Sequence, residues 1–156
     1  MKKKVMAMVP VVAVVLLCAG AVEEPSGEFY AKRVVDHISV NAPENALGRP
    51  DDRFAEIKPG GEMTVLMDNV LHFLEGADDG YVVIKAEGAY GLAGLFRMSE
   101  EGAPAWLPLA PGSAPGRFKL GTMRSSPVQS MDSIKVVNDG DRPVYLDAVA
   151  GIGEDR

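Results

Sequence analysis

Glycine, proline, asparagine and aspartate cut this chain into short pieces at close intervals. The clusters are Asn41-Ala-Pro-Glu-Asn, Pro59-Gly-Gly, Gly76-Ala-Asp-Asp-Gly, Glu101-Gly-Ala-Pro, Pro111-Gly-Ser-Ala-Pro-Gly and Asn138-Asp-Gly-Asp-Arg-Pro. Each supplies residues that favour reversals of the backbone. The intervening runs are rich in Val, Ile, Leu, Met and aromatic residues, and they alternate with period 2. Met63, Val65 and Met67 share one face, as do Val82, Ile84 and Ala86, Ile134 and Val136, and Val144, Leu146, Ala148 and Ala150. Alternation buries one face of a strand and wets the other. Phe54-Ala-Glu-Ile-Lys reads as at most one helical turn ended by Pro59-Gly60-Gly61, and no longer amphipathic helix follows. Many short strands without intervening helices predict an all-β, antiparallel sandwich or barrel.

The N-terminus is built differently. Lys2, Lys3 and Lys4 precede an apolar run from Val5 to Leu17, and Ala19-Gly20-Ala21 then offers a small-x-small cleavage site. That order is the order of a signal peptide, and the run is shorter than the ~20 residues of a membrane span. The expectation is a signal peptide over residues 1–21, a polar linker over 22–27 and one β domain over 28–153. The only cysteine, Cys18, falls inside the signal. A cut after Ala21 leaves no thiol for a disulfide. The rival reading is lipidation of Cys18, against which stands the bulky Leu17 where a small residue belongs. An exported chain is expected in the periplasm, on the cell surface or outside the cell, and it meets a membrane only if Cys18 is lipidated.

Charge narrows the partners. Removing three lysines from 16 basic residues leaves 13 against 22 acidic ones, a net charge of −9. Such a surface repels phosphate backbones, so no nucleic-acid partner is expected.

Catalytic patterns are missing. The chain has two histidines, His37 and His72, and no nucleophile elbow, P-loop, zinc-binding helix or dinucleotide fingerprint. Each histidine reads as a surface or half-buried strand residue, and no pair of carboxylates stands out, so the expectation is a protein that is not an enzyme. Asp51-Asp52, Asp78-Asp79 and Asn138-Asp139-Gly140-Asp141 offer oxygen ligands of the kind calcium takes, although Asp and Asn also favour turns for local reasons. Asp147 stands apart, set in the run Val144-Tyr-Leu-Asp-Ala-Val-Ala-Gly-Ile. Either it faces solvent or its charge has a partner.

In the same order, several segments resemble those of secreted bacterial galactose-binding-like (discoidin-like) jelly-roll modules. Asn45-Ala-Leu-Gly-Arg-Pro-Asp51 is similar to their N-A-L-G-x-P-D segment, and Pro59-Gly-Gly-Glu-Met-Thr-Val-Leu-Met-Asp68 to a G-G-x-L-T-L-x-F strand. Gly76 to Ile84, Phe96 to Gly102 with Trp106 following, Ser133 to Asp139 and Tyr145 to Val149 continue the likeness across about Val34 to Ile152. Two departures are clear: Lys85 or Ala86 stands where the family has an acid, and Phe96-Arg-Met replaces a β-branched strand. The resemblance implies a two-sheet antiparallel sandwich with jelly-roll topology. It also implies a structural calcium between an early segment and a late carboxylate, here Asp36 in Val34–Asn41 and Asp147. Modules of this kind bind glycans or other surface ligands. Exposed aromatics that stack on sugar faces would carry such binding, and Trp106, Tyr90 and Phe96 are the candidates. Pro104 and Pro108 around Trp106 equally suit a packing role. The expected function is therefore a non-catalytic module binding a glycan or envelope component. The alternative is a purely structural envelope protein or lipoprotein without a small ligand.

Overall fold

A computed structural model describes residues 28–72, 82–97, 103–111, 115–120 and 130–152. The predicted signal, linker and Cys18, the Asp78-Asp79 cluster, and most of the Gly76, Glu101 and Pro111 turn clusters lie outside these residues. The described residues form eight strands: β1 (Glu28–Asn41), β2 (Ala55–His72), β3 (Val82–Glu87), β4 (Gly91–Arg97), β5 (Ala105–Pro111), β6 (Arg117–Leu120), β7 (Ser130–Val137) and β8 (Val144–Ile152). The only helical piece among them is a 3-10 turn at Pro43–Ala46.

All pairings are antiparallel, and the strands close one hydrogen-bonded ring in the order β1-β2-β7-β4-β5-β6-β3-β8. Four of the contacts follow one rule, first strand with last and inward: β1 with β8, β2 with β7, β3 with β6, β4 with β5. β1 meets β8 through only Glu28, Phe29 and Tyr30, opposite Ile152, Gly151 and Ala150. Beyond that point the 3-10 turn and the segment 47–54 lie between β1 and β8, and Gly48 donates its N–H to the Ala31 carbonyl at 2.9 Å.

The core is the period-2 face read from the sequence. Met63, Val65 and Met67 of β2, Val82 and Ile84 of β3 and Ile134 and Val136 of β7 are all buried, joined by Leu92, Phe96 and Ile57. Each large apolar side chain so buried contributes about 1.5–3 kcal/mol. A glycine in the middle of β4 completes the fit: a Cβ at Gly94 would run into the Met131 sulfur and the Phe96 ring.

Two local readings are corrected. Pro59-Gly60-Gly61 does not end a helical turn or start a reversal; β2 runs through it. The register moves from Ile38↔Glu62 to Val40↔Ile57, so β2 carries extra residues there as a bulge. Gly60 supplies a left-handed φ of 74°, and backbone bonds from Gly60 to Asn138 (2.8 Å) and from Asn138 to Gly61 (2.9 Å) dock the bulge on the turn before β8. Asn138 is fully buried and is no solvated turn residue. Its amide donates to the carbonyls of Ile57 and Arg142 at 2.9 and 2.8 Å, and its oxygen accepts the Gly140 N–H at 3.1 Å. In β8 the register against β3 slips between Lys85↔Ala148 and Ala86↔Leu146. Asp147 is the extra residue. Val144 and Leu146 reach the core before this bulge and Val149 after it, so the single face expected through Ala148 and Ala150 changes sides at Asp147.

Candidate functional site

Asp147 is the most deeply placed charge among the described residues, with 0% exposure. The segment 47–54 covers it. Asp52 adopts a left-handed φ of 61°, a conformation that Asp tolerates better than most residues, and the backbone N–H groups of Asp51 and Asp52 donate to the two carboxylate oxygens at 3.0 and 3.4 Å. The Lys85 ammonium lies 2.7 Å from the same carboxylate and 2.8 Å from that of Asp52. Burial pushes the Asp147 carboxyl up, but the Lys85 ammonium and the two N–H groups outweigh it and hold the acid below its ordinary 3.8. The same contacts, that to Asp147 first and that to Asp52 second, raise the Lys85 ammonium above 10.5.

This surrounding does not suit calcium. The groups aimed at Asp147 are proton donors and a cation, whereas calcium requires a shell of oxygen acceptors. Asp36 does not join it: it is exposed on β1, opposite Thr64 of β2, and accepts the His37 N–H at 2.8 Å. Among the described residues no group of three or more His, Cys, Asp or Glu side chains is arranged to hold a metal ion. Lys85, the departure from the family pattern noted in the sequence, is the partner that sequence reasoning did not connect to Asp147.

The three aromatic candidates part company. Phe96 has 0% exposure and is corrected to a core residue, since it continues the buried face of Leu92 and Gly94. Tyr90 is half-buried before β4, its ring 5.8 Å from that of Phe118, and burial raises its hydroxyl pKa. Of the three, only Trp106 presents a large aromatic surface, at 41% exposure, matched among the described aromatics by Tyr145 of β8.

Trp106 belongs to a row that crosses five strands on the outside of the ring. The pairs Trp106↔Leu95, Leu95↔Ser133, Ser133↔Leu66 and Leu66↔Arg33 carry it from β5 through β4, β7 and β2 to β1. Paired residues share a face, so these side chains lie on the side opposite the core. The next row brings Lys135, whose ammonium sits 5.1 Å from the Trp106 ring centroid and 3.1 Å from a Glu62 carboxylate oxygen. Indole, leucine and small side chains thus form an apolar strip beside a hydrogen-bonding pair. At the β1 end lies a cleft of about 450 Å³. Phe29, Tyr30 and Leu47 line it with Glu28, Lys32 and Asp68. The Tyr30 hydroxyl donates to Glu28 at 2.7 Å, and Lys32 pairs with Asp68 at 3.5 Å.

The chemistry of these two places differs: one neutralises a charge internally, the other offers an aromatic face and polar edges to the outside. In comparison with known proteins, no protein family and no curated protein matches the chain.

Proposed function

We propose that this chain is an exported, non-catalytic module that binds a glycan across the outer face carrying Trp106. The observation that carries the proposal is the half-exposed indole of Trp106, held on a strand and flanked by the Lys135–Glu62 pair. An aromatic face accepts the C–H side of a sugar ring, and an ammonium beside a carboxylate supplies both a donor and acceptors for its hydroxyls. A rigid strand holds these groups with little loss of freedom on binding. The fold that goes with this reading is a two-sheet jelly-roll sandwich of the galactose-binding-like kind. Its support is the pairing of first strand with last and so inward, the order produced when one long hairpin of four strands each way is rolled up.

Binding is tested by applying the purified chain to a glycan array and titrating a retained glycan against Trp106 fluorescence. The indole is the only one in the chain, so its emission reports this face alone. Retention that Trp106→Ala abolishes, with the melting temperature kept, is the expected result. An array without a retained glycan favours the structural envelope protein. Export is tested by the mass of the secreted chain, which should begin at Val22; a diacylated Cys18 start would instead make it a lipoprotein.

A further inference from the structure

We infer that the outer face around Tyr145 of β8 docks an arginine side chain presented by another protein, its guanidinium lying on the phenol ring between the carboxylates of Glu56 and Glu87. The inference stands apart from the glycan-binding reading, since β8 does not neighbour β5 in the ring.

Register builds the place. Glu87 of β3 pairs with Tyr145, Tyr145 pairs with Glu56 of β2, and Glu56 pairs with Asn41 of β1. Directly paired residues share a face, with Cβ atoms about 5 Å apart. Val144 and Leu146 on either side of Tyr145 are buried, so this row points outward. Tyr145 is 40% exposed, and Phe54 meets its ring at 83° with centroids 6.5 Å apart. A second ring thus steadies the first and leaves part of it open to solvent.

Charge names the occupant. An aromatic face attracts a cation, and here a carboxylate flanks it on each side. Glu56 accepts a hydrogen bond from the Asn41 amide at 2.7 Å, which leaves its charge unmatched. Glu87 is exposed and has no partner among the described residues. Two cations close by are already engaged: Lys85 with Asp147 and Asp52, and Arg53 with Asp51. Lys58, two residues along β2 from Glu56, stands one row away. The Trp106 face shows the same set completed from within, for Lys135 brings its ammonium to the indole and to Glu62. At Tyr145 the ring and the acids are present and the cation is missing among the described residues.

Arginine fits this gap better than lysine. Its planar group stacks on a ring while its fork reaches a carboxylate at the side, whereas an ammonium is a point charge. The contacts are all at the surface, and such contacts are too weak to hold a free small amine. A protein partner adds contacts around the anchored side chain.

The test is fluorescence anisotropy of labelled nona-arginine and nona-lysine peptides titrated with the purified chain. Nona-arginine should bind more tightly than nona-lysine. Glu87→Gln and Tyr145→Leu should each weaken nona-arginine by about threefold or more, with the melting temperature measured alongside. Tyr145→Phe, which keeps the ring, should bind as the unaltered chain does. Asp36→Asn, at an exposed acid off this row, should also leave binding unchanged. Equal losses in Asp36→Asn and Glu87→Gln would show diffuse attraction to an acidic protein and overturn the inference, as would full binding by Tyr145→Leu. Equal binding of the two peptides overturns the choice of arginine. A dimer in sedimentation that Tyr145→Leu disperses gives the face to a second copy and overturns the inference too.

Discussion

Lys85 and Lys135 each project from a strand toward a carboxylate, yet the two pairs are built for opposite ends. Lys85 meets Asp147, which is sealed from water and held by two further backbone donors. Lys135 meets Glu62 on the outer face, with about a third of the Glu62 side chain still wet and an indole alongside. Water is the difference. A carboxylate that cannot reach solvent depends on every partner it has, so its loss is felt by the whole fold. A carboxylate in solvent can exchange its partner for a ligand hydroxyl at little cost. The covered corner therefore holds the fold together, and the open face is the one free to meet a ligand under the proposed function.

The contrast can be broken most sharply at Asp147. Asp147→Ala should lower stability by about 2 kcal/mol, because the Asp51 and Asp52 N–H groups lose their acceptor while the half-exposed Lys85 keeps Asp52, and the melting temperature by on the order of 5–10 °C. Thermal and urea unfolding measure it, and a loss within the error of the melt would show that segment 47–54 is held without this carboxylate. A second test is pH. Asp147 is depressed below 3.8, so its contribution is complete above that value and fades as pH falls through the lowered pKa. Lys85 is raised above 10.5, so its contribution is complete below that value and is lost as pH climbs through the raised pKa. Stability should be level between these limits and fall on both sides, and both falls should shrink in Asp147→Asn. Smallest is the effect of Glu62→Gln, which should move stability by no more than about 1 kcal/mol, since this half-buried pair still reaches water on its outer side, while weakening glycan binding. A large destabilisation there would place the two pairs in one class.

Much of the strand pattern is legible in the sequence because burial follows parity. Met63, Val65 and Met67 announce the inner face of β2, and the same parity through Leu92, Gly94 and Phe96 was the available signal that Phe96 points inward. Parity fails where a bulge inserts a residue. Pro59-Gly60-Gly61 has the composition of a reversal but serves as an excursion within β2, because Asn138 arrives from β7 to bind its backbone. The slip at Asp147 leaves no local trace either, since Leu146, Asp147 and Ala148 read as an ordinary alternation. Its meaning depends on Lys85, 62 positions earlier, and on a loop brought over it by the gap between β1 and β8. Trp106 and Lys135 likewise lie on strands that only the ring order makes near neighbours.

The short ladder between the first and last strands has a mechanical meaning. Glu28 lies opposite Ile152, so the described chain enters and leaves at the same pole of the ring. A force pulling those ends apart loads the three pairs one after another, as a zip is opened, instead of shearing them together. The ring, closed against heat on every side, has a seam against tension, and it lies at the one point where a tether would pull.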